Sequence, residues 1–338
     1  MISCGIQCLV CDYPIHLDTY SGCSHACRYC FANEKKSIVN IKPLNNASSL
    51  RSFIEGNRTL ETNWCDWDIP IHWGANSDPF QVCENEHKRT LECLEIFAET
   101  KYPFIVSTKN PVIATKEPYL SLLEQCECVF QISMACNSYD KLETGAPSYE
   151  KRLIAAKILS KRVKRLIIRV QPYFADKFKE ILAEIPRYAE TGAYGIICEG
   201  YATKKKQKGL IKDGKYCFPL EVLAPQFKAI REKCHEHGLR FFCGEDRLRF
   251  LGDSLTCCGT EGLENFKPNT YNIEHLAHGI CEPTKQMQTI GTTRPYRSRM
   301  QSQAWELHIK DKSFEDMMHE IGDDYVYWYR ELRRKYGD

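Results

Sequence analysis

Between Thr19 and Ala32 the chain reads TYSGCSHACRYCFA, which places Cys23, Cys27 and Cys30 at C-x3-C-x2-C spacing. Three thiolates on one short loop can each hold one iron of a cubane cluster, leaving the fourth iron open to another molecule. Four protein ligands would make such a cluster a carrier or a structural element; an open iron gives it chemistry. Against chance spacing of three buried thiols stand the glycine just before the loop and an aromatic, Tyr29, inside the last interval. Cys4, Cys8 and Cys11 repeat the spacing upstream, and Cys257 and Cys258 are adjacent in DSLTCCGTEG, with Cys243 and Cys281 on either side. Two or three N-terminal cysteines with one or both of Cys257 and Cys258 form a candidate second metal site. It suits an iron–sulfur cluster or, through the Cys8-x2-Cys11 knuckle, tetrahedral zinc. The competing reading makes the first eleven residues a tail that binds nothing.

Cysteine usage separates this chain from the ordinary. There are 19 in 338 residues, an odd number, and the start has neither a basic region nor an apolar run of the export type. Disulfide frameworks belong to short secreted domains, so a cytoplasmic setting with metal-bound or buried thiols is expected. Cys65, Cys83, Cys93, Cys126, Cys128, Cys198, Cys217 and Cys234 fall in strand or helix patterns or isolated turns and read as structural thiols. No apolar run approaches the ~18 residues of a membrane span. Lysine plus arginine (46) nearly balances aspartate plus glutamate (44), so any polyanion must be met by a local patch.

The elements that must position these groups alternate. Candidate strands are Ile69–Ala75, Phe104–Thr108, Cys128–Met134, Leu166–Gln171, Tyr194–Cys198 and Leu239–Cys243, with Tyr13–Tyr20 as a first strand. Each is a short run of the kind buried on both faces of a parallel sheet. Helical stripes lie between them: Leu91, Leu94, Phe97 and Ala98; Ile154, Ala155, Ile158 and Leu159; and Leu223, Phe227, Ile230 and Cys234, stopped by His237 and Gly238. The rhythm predicts βαβ units and a partial or complete barrel. Thr203–Lys215 breaks it as a basic loop with a turn at Asp213-Gly214, and from Gly244 to Ser313 the pattern is irregular. An amphipathic helix carrying Phe314, Met317, Met318, Ile321, Tyr325, Trp328, Tyr329 and Leu332 ends the chain.

The cysteine loop, its aromatic and its place after a first strand resemble the radical S-adenosylmethionine superfamily. The resemblance implies a partial (β/α)6 barrel over residues 13–243, preceded by a Cys-rich segment (1–12) and followed by a C-terminal extension (244–338). It also implies a [4Fe-4S] cluster whose unique iron is chelated by S-adenosylmethionine, and an external one-electron donor of the flavodoxin or ferredoxin type. Reductive cleavage would then give a 5′-deoxyadenosyl radical that abstracts a substrate hydrogen. HWGANSDPF at His72–Phe80 and VSTKNPVI at Val106–Ile113 narrow the resemblance to the spore photoproduct lyase group and its "DNA repair photolyase" relatives, a lyase-type lineage. Their Ser/Thr-Asp-Pro motif is matched by Ser77, Asp78 and Pro79, and their Thr-Lys pair by Thr108 and Lys109. Strand ends at the C-terminal face of a barrel meet the active site. Gly74 and Ala75 would let a cofactor approach the backbone, and Asn76, Ser77 and Asp78 would bind its ammonium or ribose. Ser133 and Arg169 are similarly placed for ribose and carboxylate. Asn-Ser-Asp-Pro also reads as a plain turn into a helix with aspartate as cap. The group's hydrogen-returning cysteine is replaced by Ala75, with Cys136 a distant substitute, so the thymine-dimer reaction does not carry over.

Substrate class stays open between nucleic acid and peptide. Lys204, Lys205, Lys206 and Lys208 follow the sixth strand, and Arg294, Arg297 and Arg299 flank Tyr296. Such groups clamp phosphates or simply solvate a loop. The rival to an enzyme is a non-catalytic iron–sulfur or zinc protein, which would need four ligands per site.

Overall fold

The computed structural model describes residues 2–4, 10–34, 40–59, 61–63, 65, 67–270, 272, 274–275, 278 and 327–337. Cys8, Cys281, the Arg294–Arg299 cluster and most of the expected terminal helix lie outside them. Residues 327–336 are helical, with Tyr329 buried.

In chain order the elements are β1 (Ser3–Cys4), β2 (Ile15–Leu17), β3 (Tyr20–Ser21), β4 (Lys42–Pro43), α1 (Ala47–Ile54), β5 (Ile71–Trp73), α2 (Glu84–His87) and α3 (Arg89–Thr100). Then come β6 (Phe104–Thr108), α4 (Pro111–Ala114), α5 (Tyr119–Glu124), β7 (Cys128–Ser133), α6 (Tyr149–Leu159), β8 (Arg165–Tyr173) and α7 (Phe178–Glu190). The series ends with β9 (Gly195–Gly200), β10 (Ala202–Thr203), β11 (Ile211–Asp213), β12 (Lys215–Cys217), α8 (Leu220–Glu236) and β13 (Arg240–Cys243). One sheet runs β1-β2-β5-β6-β7-β8-β9-β13. Its seven strands from β2 to β13 pair in parallel, and only the edge strand β1 is antiparallel. Six strand–helix units closed by a seventh strand make a partial barrel, as the sequence rhythm requires.

Every residue of β6 and β7 is buried, because helices cover one face and the barrel interior the other. The outer core joins both sheet and helices, from Trp73, Phe97 and Phe104 round to Phe227 and Phe241. A separate inner cluster of Tyr13, Ile105, Val129, Ile167, Ile197 and Phe242, with Cys258 and Phe266, fills the lumen. Gly238 (φ +72°) ends α8 as expected: Leu239 N–H reaches back to the Cys234 carbonyl at 2.9 Å. The α6 stripe is half as expected: Ala155 and Leu159 are buried, but the two isoleucines are not. Ile154 and Ile158 are 63% and 41% exposed, while Arg152, Leu153, Ala155, Ala156 and Leu159 are buried. The ion pairs of Arg152 let a charged residue share that buried face. The basic stretch is part loop and part small sheet: residues 204–210 connect β10 to β11, and the sheet β10-β12-β11 turns at Asp213-Gly214 as expected (Gly214 φ +64°).

The extension after β13 runs across the gap between the two edges of the sheet. Asp253 N–H donates to Phe241 O of β13. Farther on, Tyr13 hydroxyl bonds Thr260 Oγ1 (2.7 Å) and Phe266 O, Asn269 N–H donates to Asp12 O, and Asn272 and His275 both reach Asp12 Oδ1. Arg165 donates to the Gly259 and Glu261 carbonyls at 2.8 Å. Gly259 (φ +71°) comes so close to Ile167 that a Cβ would lie 2.6 Å from its Cδ1. The described residues between 253 and 275 are therefore a packed part of the barrel that closes its seam.

Candidate functional site

The cysteine loop leaves β3 at the C-terminal end of the barrel and is held from two sides. From the β5 side, Gln81 accepts from Ser24 N–H (2.9 Å) and donates to Gly22 O (3.1 Å). From the β7–α6 side, Gly145 N–H donates to His25 O, its own carbonyl lies 3.0 Å from His25 Nδ1, and Arg28 N–H donates to Leu142 O. A Cβ on Gly145 would stand 2.4 Å from Ser24 O and 2.7 Å from His25 Cα, so only glycine lets these loops meet. Within the loop Ala26 takes φ +50° and Cys30 N–H closes onto Cys27 O, which turns three cysteines through one bend.

His25 is a buried strut. Its Nε2 lies 3.1 Å from Asp78 Oδ2, and Asp78 also accepts from Phe80 N–H (2.9 Å), Thr108 Oγ1 (2.7 Å) and Lys109 N–H (2.6 Å). Burial alone would raise the Asp78 carboxyl, but His25, the Lys109 amide and Thr108 outweigh it and hold it below the usual carboxylate range. With both oxygens engaged by protein donors, Asp78 ties the strand ends to the cysteine loop. Asn76 and Ser77 are engaged as well: both backbone amides and both side chains bond the Asp18 carboxylate at 2.9–3.1 Å. Gly74 (φ +90°) faces Ser107 O, 2.5 Å from where a Cβ would be, so its smallness is required by the approach of β6.

Lys109 Nζ stands 3.8 Å from Glu143 Oε1 and over the Tyr29 ring. Glu143 is buried and also binds Tyr29 hydroxyl and Arg152, whose guanidinium holds the Ser133 carbonyl (2.9 Å). Sequence reasoning missed Glu143, Gly145, Arg152 and Asp18; only the proximity of Asp18 to β2 offered a signal. Burial pushes the Cys23 thiol up to about 12, assisted by Asp78. It pushes Cys27 up to about 11 against the opposing pull of Lys109. Among the described residues no three or more His, Cys, Asp or Glu side chains converge as placed to hold a metal ion. The donor set nonetheless fits a thiolate cluster: three soft sulfur donors on one bend, with Lys109 and Arg152 near Cys27 to offset negative charge.

Ser133 lies beside Arg169 in register, both on strands at the mouth. Arg169 turns into the lumen, where Nη1 donates to Ser107 Oγ (3.0 Å) and Gln131 Oε1 (2.9 Å) and lies 3.5 Å from His72 Nε2. Burial and Arg169 lower the His72 pKa well below its ordinary value, so this ring is neutral. The polar chain continues through Gln171 to Glu199, whose carboxyl is raised to about 8 by burial, with Asp246 and Glu245 adding to it against Arg169. Cys136 meets Ser138 Oγ (3.3 Å) and Glu180 Oε2 (3.5 Å) and is a buried loop contact. Of the expected structural thiols, Cys83 is half-buried and the others are buried. No helix among the described residues is long and apolar enough to cross a membrane.

No family model matches the chain. Uncharacterized proteins of Mycobacterium tuberculosis and Mycobacterium bovis are each 24% identical to it over 210 residues, covering 56% of this chain and 59% of theirs. The chain thus spans about three-fifths of the length of these curated relatives. Among solved structures, Streptococcus suis SuiB bound to S-adenosylmethionine is similar at 16% identity and a TM-score of 0.49, over 69% of this chain and 51% of that one. Native anSMEcpe with bound AdoMet and the Cp18Cys peptide is similar at 15% identity and a TM-score of 0.45, over 66% and 62%. Methylornithine synthase (PylB) is similar at 11% and 0.42, over 82% and 84%.

Proposed function

We propose that the chain is a radical S-adenosylmethionine enzyme acting on a phosphate-bearing substrate of the nucleic-acid class. The observation that carries this reading is the Cys23–Cys27–Cys30 bend, clamped at the C-terminal mouth of a partial (β/α)6 barrel by Gln81 and Gly145. Cys23, Cys27 and Cys30 would hold a [4Fe-4S] cluster, and the chemistry it would supply is the transfer of one electron, from an external flavodoxin- or ferredoxin-type donor, for reductive cleavage of S-adenosylmethionine and hydrogen abstraction. The chain's own residues fix geometry. Asp78, through His25, ties the bend to β5 and β6, and Asp18 sets the Asn76–Ser77 backbone. Glu143 and Arg152 keep the β7 end in place beneath Cys27 and Tyr29. Ser133, Lys109 and Arg169 are the polar groups proposed to meet ribose and carboxylate, Lys109 and Arg169 by exchanging their present partners Glu143 and Ser107–Gln131.

The substrate class rests on the β10–β12 flap. It follows β9 at the same end of the barrel and exposes Lys204, Lys205, Lys206, Lys208, Lys212 and Lys215. Six exposed lysines, four in the β10–β11 connection and Lys212 and Lys215 on the strands, favour a polyanion over a peptide. Two measurements test the reading. Anaerobically reconstituted protein with dithionite and S-adenosylmethionine should release 5′-deoxyadenosine, and Cys23→Ala, Cys27→Ala or Cys30→Ala should each abolish it. Oligonucleotide retention should fall steeply with salt and be lost when Lys204, Lys205, Lys206 and Lys208 become Ala. Full turnover in any single cysteine variant, or no retention even at low salt, would refute the corresponding half.

A further inference from the structure

The central strand of the flap carries an aromatic side chain that the fold does not use. In the sheet β10-β12-β11, Tyr216 of β12 stands directly opposite Thr203 of β10 and Lys212 of β11, so these three side chains share one face. Cys217, next along the strand and on the other face, is buried, whereas Tyr216 is half-buried. Among the described residues the Tyr216 hydroxyl has no hydrogen-bond partner and its ring no aromatic or cationic contact. The face is held in place. Arg247 donates to Asp213 Oδ2 at the β11–β12 turn (3.2 Å) and to Phe218 O just past β12 (3.4 Å). Asp213 is the one acid between residues 201 and 217, and with Arg247 engaging it the lysines of that stretch stay uncompensated. The flap also meets the cysteine bend through rings. Gln207, inside the lysine run, donates to the Tyr201 hydroxyl (3.1 Å). Tyr201 packs on Phe174 with centroids 4.8 Å apart, and Phe174 packs on Tyr29, between Cys27 and Cys30, at 5.8 Å.

We propose that Tyr216, with Lys212 beside it, is a stacking platform for an unpaired base, so that the strand brought to the barrel mouth is single-stranded. The proposal rests on the nucleic-acid reading above and narrows it. An aromatic ring open to solvent offers its face to any base, and the base must have its own face free to use it. A duplex keeps those faces covered by neighbouring pairs. The lysines by themselves hold either form through its phosphates and so do not distinguish them. Tyr216 supplies the missing selection: positive charge tracks the backbone while one ring takes a base, the combination on which single-strand binders are built. The ring contacts from Tyr201 to Tyr29 put this surface beside the cysteine bend.

The test measures binding of three probes to the full unmutated chain by fluorescence anisotropy over a range of salt: a short oligothymidylate, an abasic phosphodiester of the same length, and a duplex of that length. At equal salt the oligothymidylate should bind roughly 5- to 150-fold more tightly than the abasic strand, the range that stacking of one base gives. Tyr216→Ala should erase that difference without changing the salt slope, and Tyr216→Phe should keep it. Lys212→Ala should instead reduce the slope by about 0.7, one phosphate contact on a single strand. Equal affinity for the oligothymidylate and the abasic strand, or a duplex bound as tightly as the single strand, would overturn the platform whether or not the variants fold, and would leave the polyanion reading standing. Retention of none of the three probes at low salt would remove the nucleic-acid reading and the platform with it.

Discussion

Gly145→Ala tests the clamp on the cysteine loop with the smallest possible change. The φ of Gly145 lies outside the left-handed region, so alanine brings no backbone strain and the cost is contact alone. The added Cβ would lie 2.4 Å from Ser24 O, 2.7 Å from His25 Cα and 2.8 Å from His25 O. All three are backbone atoms of the bend, so a rotamer change cannot relieve them. Restoring ordinary contact moves the loops apart by about 1 Å, an overpacking cost of roughly 1–3 kcal/mol. That shift also breaks the two bonds between Gly145 and His25, each worth about 1 kcal/mol. The melting temperature should fall by roughly 4–7 °C. Iron retained after anaerobic reconstitution should fall further in proportion, because His25 carries the tie to Asp78. Gly209→Ala, in the flap, is the control: its Cβ meets nothing, and its positive φ alone should leave iron content unchanged. Normal iron and normal melting in Gly145→Ala would refute the clamp.

Further predictions follow from the buried charges. Asp78→Asn should lower iron retention while leaving S-adenosylmethionine affinity of the loaded fraction within twofold; a large affinity loss at full iron would return Asp78 to the cofactor. Arg152→Met should destabilise by about 3–5 kcal/mol in urea melts by leaving Glu143 buried with only Lys109 and Tyr29, and adding Glu143→Gln should recover part of it. Glu199 is protonated in the fold up to about pH 8 against about 4.3 when unfolded. Its contribution is therefore whole below about pH 4 and lost as pH rises through 8. Glu199→Gln should raise stability at pH 9 by an amount on the order of 2–4 kcal/mol and change little at pH 5; equal effects at both would show Glu199 ionised throughout.

How much of this was legible depended on how local each signal is. Phe104–Thr108 is the strand the sequence predicts, residue for residue, because a run buried on both faces needs no partner to be recognised. The cysteine bend was equally visible, since its three thiols span eight residues. Gly145 was not: its reason is a contact with Ser24, some 120 positions away, and nothing around it in sequence differs from an ordinary turn. Arg152 hid for a related reason: it shares the buried face with Ala155 and Leu159, but apolar periodicity passes over a charged residue and picks Ile154 and Ile158 instead. Asp78 stood out in the sequence, but its ties to His25, Thr108 and Lys109 did not, because a carboxylate at a strand end suits a bound ammonium and a buried histidine alike.

The central claim is that Cys23, Cys27 and Cys30 hold a cluster whose fourth iron is free to bind S-adenosylmethionine. Electron paramagnetic resonance of the dithionite-reduced, fully loaded protein tests this before any substrate is known. Adding S-adenosylmethionine should shift the g-values and line shape of the cluster signal, and Cys27→Ala should show neither signal nor shift. A strong cluster signal that S-adenosylmethionine leaves unchanged would mean the fourth iron is already ligated, and would contradict the account.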